Sequence, residues 1–299
     1  MSVWSCPLCR EPLLVSQKCL SCENGHSFDR ARQGHVNLLL ANQKNSRNPG
    51  DNESMVMARR EFLRAGYYQP LVEALCHQLA TLNHTKNSDI NVLDLGCGEG
   101  FYLERLVSAL YGTAWLTNTQ VDGGLYCWGV DVSKLAVRKA MSSAKTGVLT
   151  SINTSGRPAR VHFDYAVASN YRLPVRDNCI DIALNIFAPV SPEEVQRVLS
   201  PGGIFVRVLP AKRHLYQLKA LLYEQVRLHE SPVIETGWKL MDKSEVNFPV
   251  RLTSSQGIEQ LLGMTPLSWH GKREAKQALI AKGRLELEAC FEIQLLTSL

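Results

Sequence analysis

Apolar strand-like runs alternate with helical stretches along most of the chain. Continuous apolar runs, typical of strands buried on both faces, lie at 91–95, 125–130, 160–166, 180–186 and 204–209. Segments with helical periodicity lie between them, at 99–111, 133–145, 192–199 and 212–228. Later runs predict edge strands at 247–252 and 285–296 and a short helix at 255–263. This βαβα order predicts an α/β fold with a mostly parallel sheet.

The first 85 residues follow a different pattern. Residues 1–37 form short, turn-rich runs that are too brief to bury a core, and they need another source of stability. A polar linker follows, and two helical stripes lie between residues 54 and 82. We therefore predict a small domain at 1–37, a basic linker and helical segment at 38–85, and a larger domain at 86–299. Two stretches rich in Thr, Ser, Asn and Gly are expected to be insertions, at 112–124 and 146–158.

Composition narrows the class of protein. A hydrophobic share of 45% with 20% charged residues is typical of a folded chain and excludes general disorder. No apolar run is long enough to span a bilayer, and the N-terminus has no secretory signal, so we expect a cytoplasmic protein without membrane contact. The net charge is +5, and residues 1–50 hold six Lys/Arg against three Asp/Glu, which hints at a polyanionic partner.

Two Cys-x2-Cys pairs predict a metal site near the N-terminus. Cys6 and Cys9 form the first pair, Cys19 and Cys22 form the second, and His26 follows. Thiolates at this spacing can close a tetrahedron around Zn²⁺, and four protein ligands leave no open position for catalysis. The residues leave two ligand sets open, four cysteines or three cysteines with His26, and the spacing favours the cysteines. Either set predicts a structural zinc that folds a module too small to fold alone.

A glycine-rich turn follows the first strand of the larger domain. Gly96, Gly98 and Gly100 permit a sharp turn and let a ligand approach the backbone within contact distance. Asp94 precedes this turn, and Asp131 ends the next strand, where a carboxylate accepts hydrogen bonds from both ribose hydroxyls. The pattern therefore predicts a nucleoside-bearing cofactor.

Glu99 indicates which cofactor this is. In an NAD-binding protein the pyrophosphate lies at the start of the helix that follows the turn, and the negative charge of Glu99 disfavours a phosphate there. A carboxylate suits the sulfonium and amino groups of S-adenosylmethionine. We therefore predict S-adenosylmethionine as the cofactor.

The chain resembles class I S-adenosylmethionine-dependent methyltransferases in the glycine turn, in Asp131 and in the Ser200-Pro201-Gly202-Gly203 turn before the fifth strand. More narrowly, it resembles the bacterial 23S ribosomal RNA (guanine-N1)-methyltransferases nearly end to end. Four stretches carry that resemblance: CPLC with the later C-x3-H, RNPGD, ARREFLRAGYYQPL and PAKRHLYQLK. The resemblance implies a Rossmann-like methyltransferase fold preceded by a small zinc-ribbon domain. It also implies 23S ribosomal RNA as the partner and a homodimer.

Particular site residues follow from the resemblance. It implies a zinc held by Cys6, Cys9, Cys22 and His26, with Cys19 outside the site. It also implies cofactor contacts from Tyr68 and His214 in addition to the glycine turn. The complete expected set of cofactor-binding residues is Tyr68, Asp94, Gly96, Gly98, Glu99, Gly100, Asp131 and His214.

The predicted reaction is methyl transfer to N1 of a guanine, which must be unpaired or extruded because N1 lies on its Watson–Crick edge. No general base is identified, and Asn185 could only orient the guanine. The zinc module and three arginines are the expected RNA contacts, the arginines being Arg59, Arg60 and Arg64. Two alternatives stay open, a small-molecule methyltransferase and a non-enzymatic RNA-binding protein with a retained cofactor fold. Salt-dependent RNA binding argues against the first, and cofactor binding argues against the second.

Overall fold

The computed structural model describes residues 2–16, 18–44, 49–82, 89–110, 124–146, 161–265, 267 and 272–299. The expected insertions at 112–124 and 146–158 lie almost entirely outside these residues. Within the described residues, a three-stranded antiparallel sheet near the N-terminus accompanies a large eight-stranded sheet. No helix in this part of the chain is long and apolar enough to cross a bilayer.

The strands and helices are numbered in chain order. The small sheet contains β1 (Leu14–Val15), β2 (Cys19–Ser21) and β3 (Ser27–Asp29). The large sheet contains β4 (Val36–Asn37), β5 (Ile90–Leu95), β6 (Leu125–Asp131), β7 (Val161–Val167), β8 (Ile180–Ile186), β9 (Leu199–Pro210), β10 (Trp238–Leu252) and β11 (Leu285–Ser298). The helices are α1 (Glu53–Arg64), α2 (Gln69–Ala80), α3 (Phe101–Leu110), α4 (Lys134–Thr146), α5 (Pro192–Val198), α6 (Tyr216–Leu222), α7 (Ser255–Met264) and α8 (Arg273–Lys282).

The large sheet has the strand order β10-β11-β9-β8-β5-β6-β7-β4. β5 lies near its centre and pairs in parallel with β6 and β8, so that Leu93 is opposite both Trp128 and Ala183. β11 is antiparallel to both β9 and β10. The carboxyl ends of β5, β6 and β8 therefore meet at one edge of the sheet, where open α/β sheets bind their ligands. The predicted mostly parallel α/β fold is confirmed.

Several elements differ from the sequence prediction. β9 begins at Leu199, five residues before the strand expected at 204–209, so it includes the turn expected at 200–203. The helix expected at 212–228 is much shorter, since α6 covers only Tyr216–Leu222 and begins after Leu215, whose φ is +54°. β10 starts nine residues before the strand expected at 247–252, because its first half is largely exposed and lacks an apolar run. α8 was not predicted, since it buries only Leu279 and its other side chains give little apolar periodicity.

The N-terminal segment packs tightly against the large sheet. The indole Nε1 of Trp4 donates a hydrogen bond to Asp164 Oδ2 at 3.1 Å, and the guanidinium of Arg30 donates two bonds to the same carboxylate. Trp4 is fully buried and lies edge-on against Trp128 in β6, with 5.5 Å between ring centroids. β4 pairs in parallel with β7. The predicted boundary at residue 37 therefore falls at a strand of the large sheet.

Candidate functional site

The glycine turn lies between β5 and α3, at the carboxyl edge of the sheet. Gly96, Gly98 and Gly100 have φ values of +79°, +55° and +85°, which favour glycine at all three positions. A Cβ at Gly96 would overlap Ala188, and one at Gly100 would lie 3.0 Å from Ala140. A Cβ at Gly98 would meet nothing within 4 Å. Gly96 and Gly100 thus allow close packing, whereas Gly98 faces open space that can admit a ligand.

Two carboxylates flank this turn, the buried Asp94 and the half-buried Asp131. Asp131 accepts hydrogen bonds from the backbone N–H groups of Gly98 at 3.0 Å and Ser133 at 2.7 Å, so its orientation is fixed by the turn itself. Burial outweighs these bonds and raises the pKa of Asp131. Burial, together with the charge of Asp131, raises the pKa of Asp94 to about 7. The site therefore places two acidic groups where a cationic ligand would stabilise their charged forms.

Buried polar atoms without partners surround the turn. Glu99 Oε1, the Tyr102 hydroxyl and Asn170 Oδ1 have no hydrogen-bond partner among the described residues. Such atoms are rare in a folded protein, because leaving one unpaired costs about 1–3 kcal/mol. Two of them are acceptors that fit the amino groups of S-adenosylmethionine, and the hydroxyl can donate or accept. The residues present thus fit this cofactor, with open space at Gly98 for its approach.

The other oxygen of Glu99 is already paired. Arg60 and Arg64 of α1 both donate to Glu99 Oε2, and Arg64 also contacts Glu104 at 2.9 Å. Glu99 is only 3% exposed, and its burial raises its pKa despite both arginines. One oxygen is therefore held by α1 while the other remains available to a ligand.

This pairing corrects the expected role of the three arginines. Arg60 and Arg64 join α1 to the glycine turn, and Arg59 forms an ion pair with Asp51 and donates to the backbone carbonyl of Met264. Their cationic groups are used within the protein, so they do not form a free RNA-binding face.

An aromatic cluster lies beside the turn and contains both outlying residues of the expected cofactor set. Tyr68 is 3% exposed and lies edge-on against Phe291 of β11, with 5.1 Å between ring centroids. The His214 ring also packs against Phe291, at 4.5 Å. His214 Nδ1 accepts the Cys290 backbone N–H at 3.2 Å, and burial lowers the pKa of His214 to about 3. His214 is therefore a neutral imidazole with its proton on Nε2.

An amide and an aromatic side chain lie at the end of β8, at the edge of the cleft. Asn185 is buried and donates its amide to the Leu95 carbonyl at 3.2 Å, so it links β8 to β5. Phe187, two residues later, has φ of +62° and is 41% exposed. Its ring lies 5.0 Å from that of Phe291 and 6.4 Å from that of Tyr102. The turn after β8 thus holds an aromatic face open to solvent at the edge of the cofactor site.

The candidate metal centre lies in the N-terminal segment. Four ligand atoms lie within 4.8 Å of one another, from Cys6, Cys9, Cys22 and His26. The Sγ atoms of Cys9 and Cys22 are 3.7 Å apart, and His26 Nδ1 lies 3.5 Å from Cys6 Sγ and 3.4 Å from Cys22 Sγ. A tetrahedral zinc with Zn–S bonds of about 2.3 Å has S···S edges of about 3.8 Å and slightly shorter S···N edges. The four atoms therefore fit one zinc ion.

Cys19 lies outside this cluster. It belongs to β2, and its Sγ lies 3.4 Å from the Ser16 hydroxyl. The structure thus brings together the ligand set that the resemblance implied, and leaves out the fourth cysteine that spacing had favoured. A hydrogen bond from Asn24 makes the largest contribution to lowering the pKa of Cys9 to about 6, which favours the thiolate that zinc requires.

Three residues of the candidate site were missed from the sequence. Asn170 lies in a short turn after β7, where an asparagine gives no sign of a ligand contact. Tyr102 follows the glycine turn by two positions, and an aromatic residue at a helix start is usually a packing residue. Phe187 is adjacent to Ile186 in an apolar run that gives no sign of exposure. Their importance depends on a buried orphan atom or a positive φ, neither of which has a sequence pattern.

Known proteins match the chain over most of its length. A family model of the N-terminal zinc ribbon of RlmA matches residues 4–47, and a methyltransferase-domain model matches residues 86–247. A 23S rRNA (guanine(748)-N1)-methyltransferase of Streptomyces fradiae is 33% identical over 273 residues, which cover 89% of this chain and 85% of that protein. A Bacillus subtilis (strain 168) protein with the provisional name 23S rRNA (guanine-N1)-methyltransferase YxjB is 29% identical over 283 residues, covering 91% and 89% of the two chains.

Among solved structures, the provisionally named methyltransferase BH2331 of Bacillus halodurans C-125 aligns with a TM-score of 0.45 at 13% identity, covering 75% of this chain and 96% of that chain. The two family models confirm the predicted cofactors, S-adenosylmethionine for the methyltransferase domain and structural zinc for the ribbon. With this zinc ribbon, this methyltransferase domain and a relative of 33% identity, the chain belongs to the 23S rRNA (guanine-N1)-methyltransferase family.

Proposed function

We propose that the protein transfers a methyl group from S-adenosylmethionine to N1 of a guanine in 23S ribosomal RNA. The observation that carries this proposal is the set of unpaired buried atoms around the open glycine turn, in a chain of this family. The relative from Streptomyces fradiae is named for the same reaction at guanine 748.

Different residues of the chain are placed to contact different parts of the cofactor. Asp131, held by the Gly98 and Ser133 N–H groups, is placed to accept the ribose hydroxyls. Asn170 Oδ1 and Glu99 Oε1 are placed to accept N–H groups from the two ends of the molecule. When bound, S-adenosylmethionine supplies an electrophilic methyl group on a sulfonium ion. The positive charge of that cation stabilises the ionised form of Asp94, whose pKa is about 7 without the ligand.

Phe187 is proposed as the platform for the target base. A guanine that is methylated at N1 must leave its base pair, and an extruded base is commonly stacked on an aromatic face. Phe187 offers such a face at the carboxyl end of β8, because its ring is 41% exposed while it packs against Phe291 at 5.0 Å. Stacking there is worth about 1–3 kcal/mol per base, which offsets part of the cost of unstacking.

The proton on guanine N1 must be lost during the transfer. His214 does not accept it, because its Nδ1 already accepts the Cys290 N–H and its Nε2 carries the proton. His214 can instead donate a hydrogen bond, for which the guanine O6 is a suitable acceptor. Stabilising charge on O6 lowers the cost of losing the N1 proton to solvent. In this proposal His214 orients and polarises the base, a role different from the cofactor contact that the resemblance implies, and it does not act as a general base.

We also propose that the protein is a cytoplasmic homodimer. Each protomer then consists of the ribbon at 1–37, the linker and helices at 38–85 and the domain at 86–299. Exposed apolar side chains on α6, the following loop and β10 support a subunit contact, at Leu221, Leu228, Val233, Leu240 and Met241. None of the nine cysteines, all of which lie in the described part of the chain, forms a disulfide, which fits a reducing compartment. Light scattering coupled to size-exclusion chromatography tests the dimer.

The test of the function is a transfer assay with labelled S-adenosylmethionine and 23S ribosomal RNA from a strain that lacks this protein. Primer extension then maps the modified base, because N1 methylation blocks base pairing. We expect one new stop at a guanine, and Asp131→Asn should abolish it while the zinc content stays unchanged. Cofactor binding without any transfer to RNA would contradict the proposal and favour a small-molecule acceptor.

A further inference from the structure

A cavity lies at the seam between the zinc ribbon and the methyltransferase domain, apart from the cofactor site. Its volume is about 540 Å³. Ribbon residues form one wall, and the loop before β8 forms the other, together with the end of α5. The lining consists of Ser5, Arg10, Pro12, Val175, Arg176, Asp177 and Arg197. Three guanidinium groups thus face one cavity, against two nearby carboxylates, Asp177 and Glu194.

The two carboxylates are committed to one of the three arginines. Arg197 donates to both oxygens of Glu194 and to Asp177, and it also donates to the backbone carbonyls of Leu173 and Val175. The Glu194 carboxylate additionally accepts the Leu173 N–H at 2.6 Å. Arg197 is therefore a structural group that uses up the negative charge beside the cavity.

The other two arginines are not neutralised in this way. Arg10 approaches Glu194 only at 3.8 Å, and its side chain is 46% exposed. Arg176 has no ion pair among the residues that the structure describes, and its Nε is buried without a hydrogen-bond partner. Backbone bonds fix both walls, since Arg176 N–H donates to the Val3 carbonyl and Arg10 N–H donates to the Cys6 carbonyl. Cationic donors are thus held in position with unused capacity.

Ser5 supplies an independent sign of a ligand. It is 1% exposed, it lines the cavity, and its hydroxyl has no partner among the described residues. Its backbone N–H is occupied by the Pro174 carbonyl, at 2.9 Å, so the residue is fixed at the seam. A buried hydroxyl and a buried guanidinium Nε that are both unpaired in one cavity require an acceptor that the protein does not supply.

We propose that this cavity binds a backbone phosphate of the RNA substrate, with Arg10, Arg176 and Ser5 as its donors. The planar fork of arginine matches phosphate oxygens, and a hydroxyl adds a further hydrogen bond. A phosphate bound at this seam would contact the ribbon and the catalytic domain together, so it would set the position of the RNA relative to the cofactor. The inference rests on the proposed function, because it takes the phosphate from ribosomal RNA and not from a free anion.

The test uses the full-length, zinc-loaded chain and 23S ribosomal RNA transcribed in vitro. Dissociation constants are measured from about 50 to 200 mM salt for wild type, Arg176→Gln, Ser5→Ala and a control, Arg251→Gln. Arg251 is exposed on β10 and pairs only with exposed Glu286 among the contacts described. We expect Arg176→Gln to lower the slope of log K against log salt by about 0.7–0.9 and to weaken binding, and the control to change neither.

The Ser5→Ala variant distinguishes a loss of RNA binding from a loss of folding. Because the hydroxyl is unpaired in the protein alone, its removal should leave Tm unchanged or slightly higher, while it weakens RNA binding several-fold. Inorganic phosphate, compared with chloride at equal ionic strength, should compete with RNA on wild type and less on Arg176→Gln. Competition by phosphate without any effect of Arg176→Gln or Ser5→Ala on RNA binding would mean a free-anion site and would overturn the inference.

The failure of the inference differs from the failure of the proposed function. If wild type methylates the RNA but both cavity variants bind it with unchanged affinity and slope, the phosphate site is wrong and the function stands. If wild type binds RNA through Arg176 but transfers no methyl group, the function is wrong and the site stands. A wild-type chain that binds no ribosomal RNA overturns both.

Discussion

Gly98 is the position at which cofactor binding and folding can be separated by one methyl group. A Cβ at Gly98 would meet no protein atom within 4 Å, so Gly98→Ala creates no clash within the chain. Its φ of +55° still places alanine in the left-handed region, which costs about 1–2 kcal/mol. The proposed site puts the cofactor in this open space. The added methyl group should therefore interfere with the ligand while the protein stays folded.

Gly202→Ala is the matched control. Gly202 has φ of +77° and also faces open space, but it lies near the start of β9, at the opposite end of the strand from the cofactor edge. Both variants should lose about 1–2 kcal/mol of unfolding free energy, or about 2–4 °C in Tm for each kcal/mol. Only Gly98→Ala should also bind S-adenosylmethionine less tightly, because overpacking against a ligand costs about 1–3 kcal/mol, or about 5- to 150-fold in Kd.

The assay pairs thermal unfolding with titration calorimetry of S-adenosylmethionine. Gly96→Ala adds a third comparison, since its Cβ would overlap Ala188 and should cost more stability than either of the other changes. Equal cofactor Kd values for Gly98→Ala and Gly202→Ala, with equal losses in Tm, would refute the assignment of the open space to the cofactor. A higher cofactor Kd in the Gly202→Ala control would refute the assumption that only a methyl group at the site affects cofactor binding.

Two further predictions concern the metal and pH. Cys22→Ser should lose zinc and lower Tm strongly, whereas Cys19→Ser should keep zinc, as measured by metal analysis and thermal unfolding; loss of zinc from both variants would restore the four-cysteine set. Burial raises the pKa of Asp94 to about 7, so below that pH the unliganded protein carries a proton there that a bound cation expels. Cofactor affinity should therefore fall towards tenfold per pH unit below about 7, and Asp94→Asn should bind weakly and depend less on pH, with a residual dependence from Asp131 and Glu99, whose pKa values are also raised. A flat wild-type profile between pH 5 and 8 would contradict this assignment.

The central sheet was predictable because buried parallel strands consist of uninterrupted apolar runs in the sequence. β5, β6 and β8 appear in this way, and the glycine turn follows the first of them at the expected position. The first half of β10 carries exposed, mixed residues, so only its pairing with β11 defines it as a strand. The local sequence pattern predicts a strand that is buried. It does not predict an exposed strand that forms only because it pairs with a neighbouring strand.

The pairing of charges was the least predictable part of the site. Arg60 and Arg64 lie on the polar side of a helical stripe, and nothing in the sequence indicates that their partner is Glu99, which follows by more than thirty residues. The zinc ligands show the same limit at shorter range. Spacing treats Cys19 and Cys22 alike, but the strand β2 carries Cys19 away while the turn after it brings Cys22 towards His26.

The short parallel pairing of β4 with β7 gives zinc an effect far from the metal. β4 lies at the end of the eight-stranded sheet and pairs with the last two residues of β7, Ala166 and Val167. If loss of the ion unfolds the ribbon, β4 is released with it, and the backbone N–H and C=O groups at the carboxyl end of β7 lose their partners. Such an edge is a template for pairing with other chains. Metal starvation should therefore convert this protein into an aggregation-prone species, in which the catalytic domain is lost by self-association even though its own residues are intact.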